Sequence, residues 1–320
     1  MTRRIIALSL TLSLTLAMLA CDGDDETGTS TGTTTGTTTT DTTTDTGTGG
    51  GGGGGGGSAG LEIEMYTSDP MGPAVNSVLI TGAEDAVLVD GQFWLADAEA
   101  VIQMVQDSQK TLRTIFLTHP HPDHYLGLKP IQEAFPQAQI VATQAVVDDY
   151  NGSAQATFDF LKAQQGDNIA DGIAEVQVLQ GASIDLEGHA LQVVEMEEPG
   201  ESAHAAVLVI EDGNALVAGD LLYNNVHLVL AECQGQGWVN NLNDTIKPIG
   251  MEKIFPGHGP ATTPDVIDAD IAYIEQATLI MDAAATPEEA TMQIKAAFTA
   301  YASDFLLGFS VGQYFMNCKQ

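Results

Sequence analysis

Residues 117–127 read Leu-Thr-His-Pro-His-Pro-Asp-His-Tyr-Leu-Gly, "LTHPHPDHYLG". Three of the chain's seven histidines and an aspartate fall between positions 119 and 124. Just upstream, "RTIFL" (113–117) is a short apolar run with β-branched and aromatic residues, the pattern of a buried strand. Imidazoles gathered where a strand ends point to a metal. Neutral imidazole and carboxylate are good zinc ligands, and His119 and His121, two apart, can turn both rings to one side. Asp123 and His124 are then free to face a second centre. Pro120 and Pro122 stiffen the loop and lower the entropy lost in gathering the ligands.

Similar groups recur at the ends of two later runs. "ALVAGDLLYNNVHL" (215–228) is an apolar strand that reaches Gly219-Asp220, and "KIFPGHGP" (253–260) is a short strand ending at Gly257-His258-Gly259. Glycines flanking a histidine let backbone approach a bound centre closely. Beyond Cys21 the cysteines are Cys233 and Cys318, in no paired motif, which argues against a cysteine-rich structural site. Whether these two pair or remain separate thiols stays open, since sequence alone does not fix their separation.

The N-terminus speaks to location. Arg3-Arg4, an apolar run from Ile5 to Leu19 and Ala20-Cys21 form a secretory signal too short for a comfortable membrane span. The junction resembles the lipobox of bacterial lipoproteins, with Met18 where leucine is preferred. The expectation is a signal over 1–20 and a lipidated Cys21 that anchors the chain to the cell envelope. Residues 21–60, Thr-rich and then nine consecutive glycines (Gly49 to Gly57), cannot bury apolar surface and are expected to be a disordered linker. Such a tether has a root-mean-square reach of about 35 Å.

Residues 61–320 are long enough for one sizeable core. The chain carries 43 Asp and Glu against 10 Lys and Arg, for a formal net charge of −33. That balance disfavours nucleic acid, whose phosphates demand basic stripes, and leaves a small-molecule substrate as the expected partner. Strands are predicted at 61–67, 76–81, 85–90, 113–118, 138–142, 190–196, 205–210 and 214–218, and helices at 95–108, 125–135, 143–164, 264–283 and 287–303. Thr286 with Glu289 reads as a helix start. The interleaving gives an α/β (α+β) class with helices covering sheet faces.

The order of "THPHPDH" (118–124), "AGD" (218–220) and "PGHG" (256–259), after the "NSVLITGAEDAVLVDG" hairpin (76–91), resembles the metallo-β-lactamase superfamily. The resemblance covers essentially all of 61–320. It implies an αββα sandwich holding two metal ions, usually zinc, with iron or manganese as alternatives. It places His119 and His121 on the first ion, Asp123, His124 and His258 on the second, and Asp220 between them. The family's third first-metal histidine has no clean match in "EEPGESAHAAVLVIEDG" (197–213); His204 is the expected ligand and Glu201 its rival. A bridging aspartate resembles the glyoxalase II, lactonase and phosphodiesterase-like members more than true β-lactamases, and the acidic chain fits phosphodiesters poorly. The implied activity is hydrolysis of an ester, thioester, lactone or amide by metal-activated water, in which Asp123 takes part. A non-catalytic metal-binding lipoprotein is the alternative, and a flavodiiron-like redox role a third. His227 and Tyr223 are expected at the active-site mouth, donating hydrogen bonds to substrate.

Overall fold

A computed structural model of the chain describes residues 37–40 and 60–319. The expected signal and Cys21 fall outside the described residues. Within the expected linker, Thr37–Thr40 forms β1. It pairs antiparallel with β2 (Glu62–Thr67), so a β-branched tetrapeptide meets an open sheet edge where no structure was anticipated.

The hairpin of β3 (Asn76–Thr81) and β4 (Asp85–Val89) follows, then α1 (Leu95–Asp107) and β5 (Thr111–Phe116). In α1, Ala98, Val101, Met104 and Val105 are buried, the spacing of a single helical face. The helix expected over 125–135 is two: α2 (Pro122–Tyr125) and α3 (Leu128–Ala134). Gly127 separates them and donates its N–H to Gln92 O (2.7 Å), pulling the break against the segment after β4. After β6 (Gln139–Ala142) comes α4 (Gln144–Gln165), and then β7 (Gln177–Val178) completes the first sheet in the order β1-β2-β3-β4-β5-β6-β7.

The second sheet begins with β8 (Ser183–Leu186), β9 (His189–Glu195), β10 (Ala206–Ile210) and β11 (Ala215–Tyr223). A helical stretch interrupts it: α5 (Gly235–Asn241), five residues of wider π-type bonding (Leu242–Ile246) and α6 (Lys247–Ile249). Then β12 (Lys253–His258) joins parallel to β11, giving the order β12-β11-β10-β9-β8. Helices α7 (Asp265–Ala283), α8 (Pro287–Ala297) and α9 (Asp304–Asn317) close the chain. Thr286 caps α8 by accepting from Glu289 N, as its sequence suggests.

Period-two alternation sorts side chains between two layers of core. Ala206, Leu208 and Ile210 of β10 and Ala215 and Val217 of β11 face Val78, Ile80, Val87, Val89 and Phe116 of the first sheet. Val207, Val209, Leu216 and Ala218, one residue out of phase, pack instead among α5, α7, α8 and α9. Helix, sheet, sheet and helix are therefore stacked, the αββα sandwich. One end of the stack collects the C-terminal ends of β5, β11 and β12, where three parallel-paired strands release their loops. Asn76 ties the two sheets together there, donating from Nδ2 to Pro256 O (2.8 Å) and Gly259 O (2.7 Å).

Candidate metal centre

Two groups of potential ligands lie at that end and share one residue. His119, His121, Glu201 and Asp220 can offer ligand atoms within 4.8 Å of one another, as can Asp123, His124, Asp220 and His258. The loop after β5 supplies four of them, β11 supplies Asp220 and β12 ends on His258. Two irregularities in the β11–β12 pairing, at Gly219 and between Gly219 and Tyr223, turn Asp220 out of the ladder. Gly219 has φ of 51°, and Gly257 has no room for a Cβ because Asp220 Oδ1 and its backbone occupy that space.

The ring orientations are set from behind. Thr118 N and Oγ1 donate to the two oxygens of Asp90 (2.8 and 2.7 Å), which leaves Thr118 Oγ1 to accept from His119 Nδ1 at 3.0 Å. His124 Nδ1 is 2.9 Å from the same Asp90 Oδ2, and His258 Nδ1 lies 2.5 Å from Pro73 O. Each Nδ1 thus faces an oxygen that can accept from it, and each Nε2 is turned inward toward the carboxylates of the cluster. Asp90 holds this arrangement from a left-handed backbone conformation, φ 59°.

Inside the cluster, His124 Nε2 is 2.9 Å from Asp220 Oδ1, and His258 Nε2 is 3.0 Å from Asp220 Oδ2. His258 Nε2 stands 3.5 Å from Asp123 Oδ2, and His119 Nε2 stands 3.6 Å from Glu201 Oε2 and 3.7 Å from Asp220 Oδ2. His121 Nδ1 is 3.2 Å from Glu201 Oε1. His119 Nε2, His124 Nε2, Glu201 Oε2 and Asp220 Oδ1 are buried without a hydrogen-bond partner. Four orphaned polar atoms at one point, each a metal-ligand type, fit a bound cation.

Electrostatics agree. Burial, only partly offset by His121, raises the Glu201 carboxyl to about 7. Burial also disfavours charge on Asp220, yet His124, His258 and His119 together hold it well below the usual carboxylate range. Burial and the neighbouring His124 push His119 well below its ordinary value. In His121 burial acts the same way but Glu201 overcomes it, raising the ring to about 10. Such a mutually dependent set of buried charges is what a divalent ion would neutralise.

His204 departs from expectation. Its Nδ1 pairs with Asp149 Oδ2 at 2.7 Å on α4, the side chain is half-exposed, and it belongs to neither donor group. Glu201, three residues earlier, is buried and takes the position in the first group. The loop that carries it is clamped to α5, with Asn241 Nδ2 donating to Glu198 O at 2.6 Å. A Cβ on Gly200 would press on Trp238. Only a segment this close to α5 can turn Glu201 inward, and the sequence does not announce that packing.

Tyr223 and His227 do not line the mouth. Tyr223 is fully buried, its hydroxyl donates to Asp220 Oδ2 (2.7 Å) and its ring stacks on His258 (4.6 Å between centroids, 10° between planes). Its backbone N–H donates to Asp270 Oδ2 at 2.8 Å, a carboxyl raised well above its ordinary range by burial. Tyr223 therefore positions two donor residues and touches nothing outside. Tyr223→Phe is expected to weaken metal affinity roughly 10- to 100-fold while the fold persists. A competition titration with a chromophoric chelator reads this, and unchanged affinity contradicts it.

His227 is buried among Tyr273 and Tyr301, with Nδ1 2.8 Å from Tyr273 Oη. Burial lowers it to about 4 from an ordinary 6.5. The unfolded chain therefore binds more protons than the folded one between those values, so this histidine's contribution to stability is complete above about 6.5 and is lost as pH falls toward 4. The full swing is at most about 3 kcal/mol. In denaturant titrations, wild type should lose more stability than His227→Gln from pH 7 to pH 4. Parallel pH profiles would rule this out.

The chain belongs to the metallo-beta-lactamase superfamily, whose family model matches residues 71–285. Among solved structures it is similar to the B3 metallo-beta-lactamase BLEG-1, at 20% identity and a TM-score of 0.51, over 63% of this chain and 94% of that one. It is also similar to a metallo-beta-lactamase from Pontibacter korlensis, at 16% identity and a TM-score of 0.52, over 68% of this chain and 95% of that one. At these identities the likeness concerns the fold. No curated protein matches the chain.

Proposed function

We propose that the protein is a metal-dependent hydrolase of an acyl substrate: an ester, thioester, lactone or amide. The observation that carries the reading is the set of orphaned inward atoms described above, with the histidine rings oriented from behind by Thr118, Asp90 and the Pro73 carbonyl. His119, His121, Glu201 and Asp220 would hold one ion, and Asp123, His124, Asp220 and His258 the other. Zinc suits both sets, and iron or manganese also accepts nitrogen with carboxylate oxygen. A bound ion pair supplies Lewis acidity for the carbonyl and activates water. Asp123, more exposed than the other carboxylates of the two groups, would be the carboxylate to orient an attacking water and take up its proton. The acidic chain supports a neutral or cationic acyl compound over a phosphodiester.

Location is part of the proposal. The sequence through Cys21 supports export and lipid anchoring to the envelope, and Cys21→Ser should move the protein out of the membrane fraction. The alternative of a non-catalytic metal binder drew its support from a missing third ligand, and Glu201 supplies one. Metal analysis followed by chromogenic esters, thioesters, lactones and amides tests the reading. Close to two ions per chain with turnover is expected, lost in His121→Ala with the fold intact. Two ions without turnover of any class would establish the non-catalytic reading, and wild-type turnover in His121→Ala would sink the assignment of the site.

A further inference from the structure

We infer that Glu232 is a specificity-determining residue of this site, and that the substrate it selects carries a cationic ammonium group beside the acyl bond. The inference rests on the proposed hydrolase reading for its chemistry, though not for its binding test. Glu232 Oε1 stands 4.0 Å from His121 Nε2, with the Glu232 side chain 41% exposed and that of His121 26% exposed. His119, His124, Glu201, Asp220 and His258 are buried, so His121, Asp123 and Glu232 border the open side of the cluster. Both donor groups are complete without Glu232. It adds a negative charge that ligation does not need, at the opening toward the orphaned Glu201 Oε2 and His119 Nε2.

The backbone that carries Glu232 is held on both sides. Leu230 N, two residues before it, donates to Ser310 Oγ on α9 at 2.8 Å. Cys233, the next residue, takes a left-handed conformation (φ 62°) and forms a disulfide with Cys318 at the end of α9. With the backbone on both sides of Glu232 tied to one helix, binding has only its side-chain rotamers left to order, which favours a specific contact over a passing one.

The Lys and Arg of the described residues lie elsewhere. Arg113, Lys129, Lys162, Lys247 and Lys295 pair with Asp85, Glu133, Asp171, Asp268 and Asp304, and Lys110 and Lys319 bind backbone carbonyls. Lys253 opens β12, five residues before His258. An anionic group beside Glu232 would therefore meet that carboxylate with no Lys or Arg of the described residues to offset it, whereas an ammonium would pair with it. A partly exposed pair of this kind contributes roughly 2- to 5-fold in selectivity.

The test compares a choline ester with its 3,3-dimethylbutyl counterpart, in which a carbon replaces the nitrogen and only the charge differs. The metal-loaded protein should prefer the choline ester in kcat/KM. Glu232→Gln should reduce that ratio roughly 2- to 5-fold, with metal content unchanged, and added salt should erode it in the wild type. An unchanged ratio, or loss of metal in Glu232→Gln, overturns the inference. Binding of butyltrimethylammonium against 3,3-dimethylbutanol, followed by NMR, is read independently of turnover. Charge-selective binding lost in Glu232→Gln without hydrolysis of either ester supports Glu232 while the hydrolase reading fails, and binding without charge preference overturns the inference whatever the turnover.

Discussion

Asp220→Ala is expected to bind less than one metal ion per chain and to lose at least about 10³-fold in hydrolysis. Both donor groups include Asp220, so one truncation strips a ligand from each. Its two oxygens also stand 2.9 Å from His124 Nε2 and 3.0 Å from His258 Nε2, and Tyr223 donates to one of them. Removing the carboxylate leaves buried imidazoles facing each other and the tyrosine hydroxyl without its acceptor, which costs further. Loss of several kcal/mol of charge stabilisation in the transition state corresponds to the stated factor. Metal analysis beside kinetics on the best substrate reads both effects. Two retained ions would show that Asp220 is not shared.

Cutting the Cys233–Cys318 disulfide has the largest expected effect on stability. The bridge joins positions 85 residues apart and fastens α9 to the segment after β11. Closing so long a loop restricts the unfolded chain by about 4–5 kcal/mol in the chain-entropy account. The C-terminus is fastened again next door, where Lys319 Nζ binds the carbonyls of Met281, Asp282 and Ala284 at the end of α7. That local tie cannot replace the covalent one, since a partly exposed ammonium exchanges its contacts with water. The Cys233→Ser, Cys318→Ser protein should melt roughly 10 °C lower than the oxidised wild type. A shift under a degree or two would mean that helix packing alone secures α9.

The layer architecture and most residues of the two donor groups were legible because they lie where local pattern and chemistry coincide. "RTIFL" leads into four candidate donors, and Gly219-Asp220 and Gly257-His258 close apolar runs, so strand periodicity and residue type point to one edge. The elements missed are those whose stability comes from elsewhere. Segment α5 contains two glycines and two asparagines, poor helix formers, and is fixed by Trp238, whose Nε1 donates to Leu221 O at 3.0 Å. The strand β8 forms by pairing with β9 across a tight turn at Glu187-Gly188. The expected helix over 287–303 stops at Ala297, and α9 restarts from Ser303, whose Oγ accepts from Leu306 N.

The site failed to be read in the same places. His204 is the histidine a ligand search finds, but Asp149 on a helix distant in sequence claims it. Glu201 is turned inward by a loop whose clamp, Asn241 on Glu198, lies more than forty residues away. His227 and Tyr223 follow Asp220 closely in sequence, yet β11 continues through Tyr223 into the core and carries both away from solvent. Asp90, which orients His119 through Thr118 and His124 directly, was visible only as the last residue of a strand pattern.

The central claim is that two metal ions share Asp220 and that Glu201 completes the first group. Its most direct test is metal stoichiometry of the wild type, Glu201→Ala and His204→Ala, each checked for folding by circular dichroism. Close to two, close to one and close to two ions per chain are expected, in that order. Two ions retained in Glu201→Ala, or one lost in His204→Ala, would contradict it.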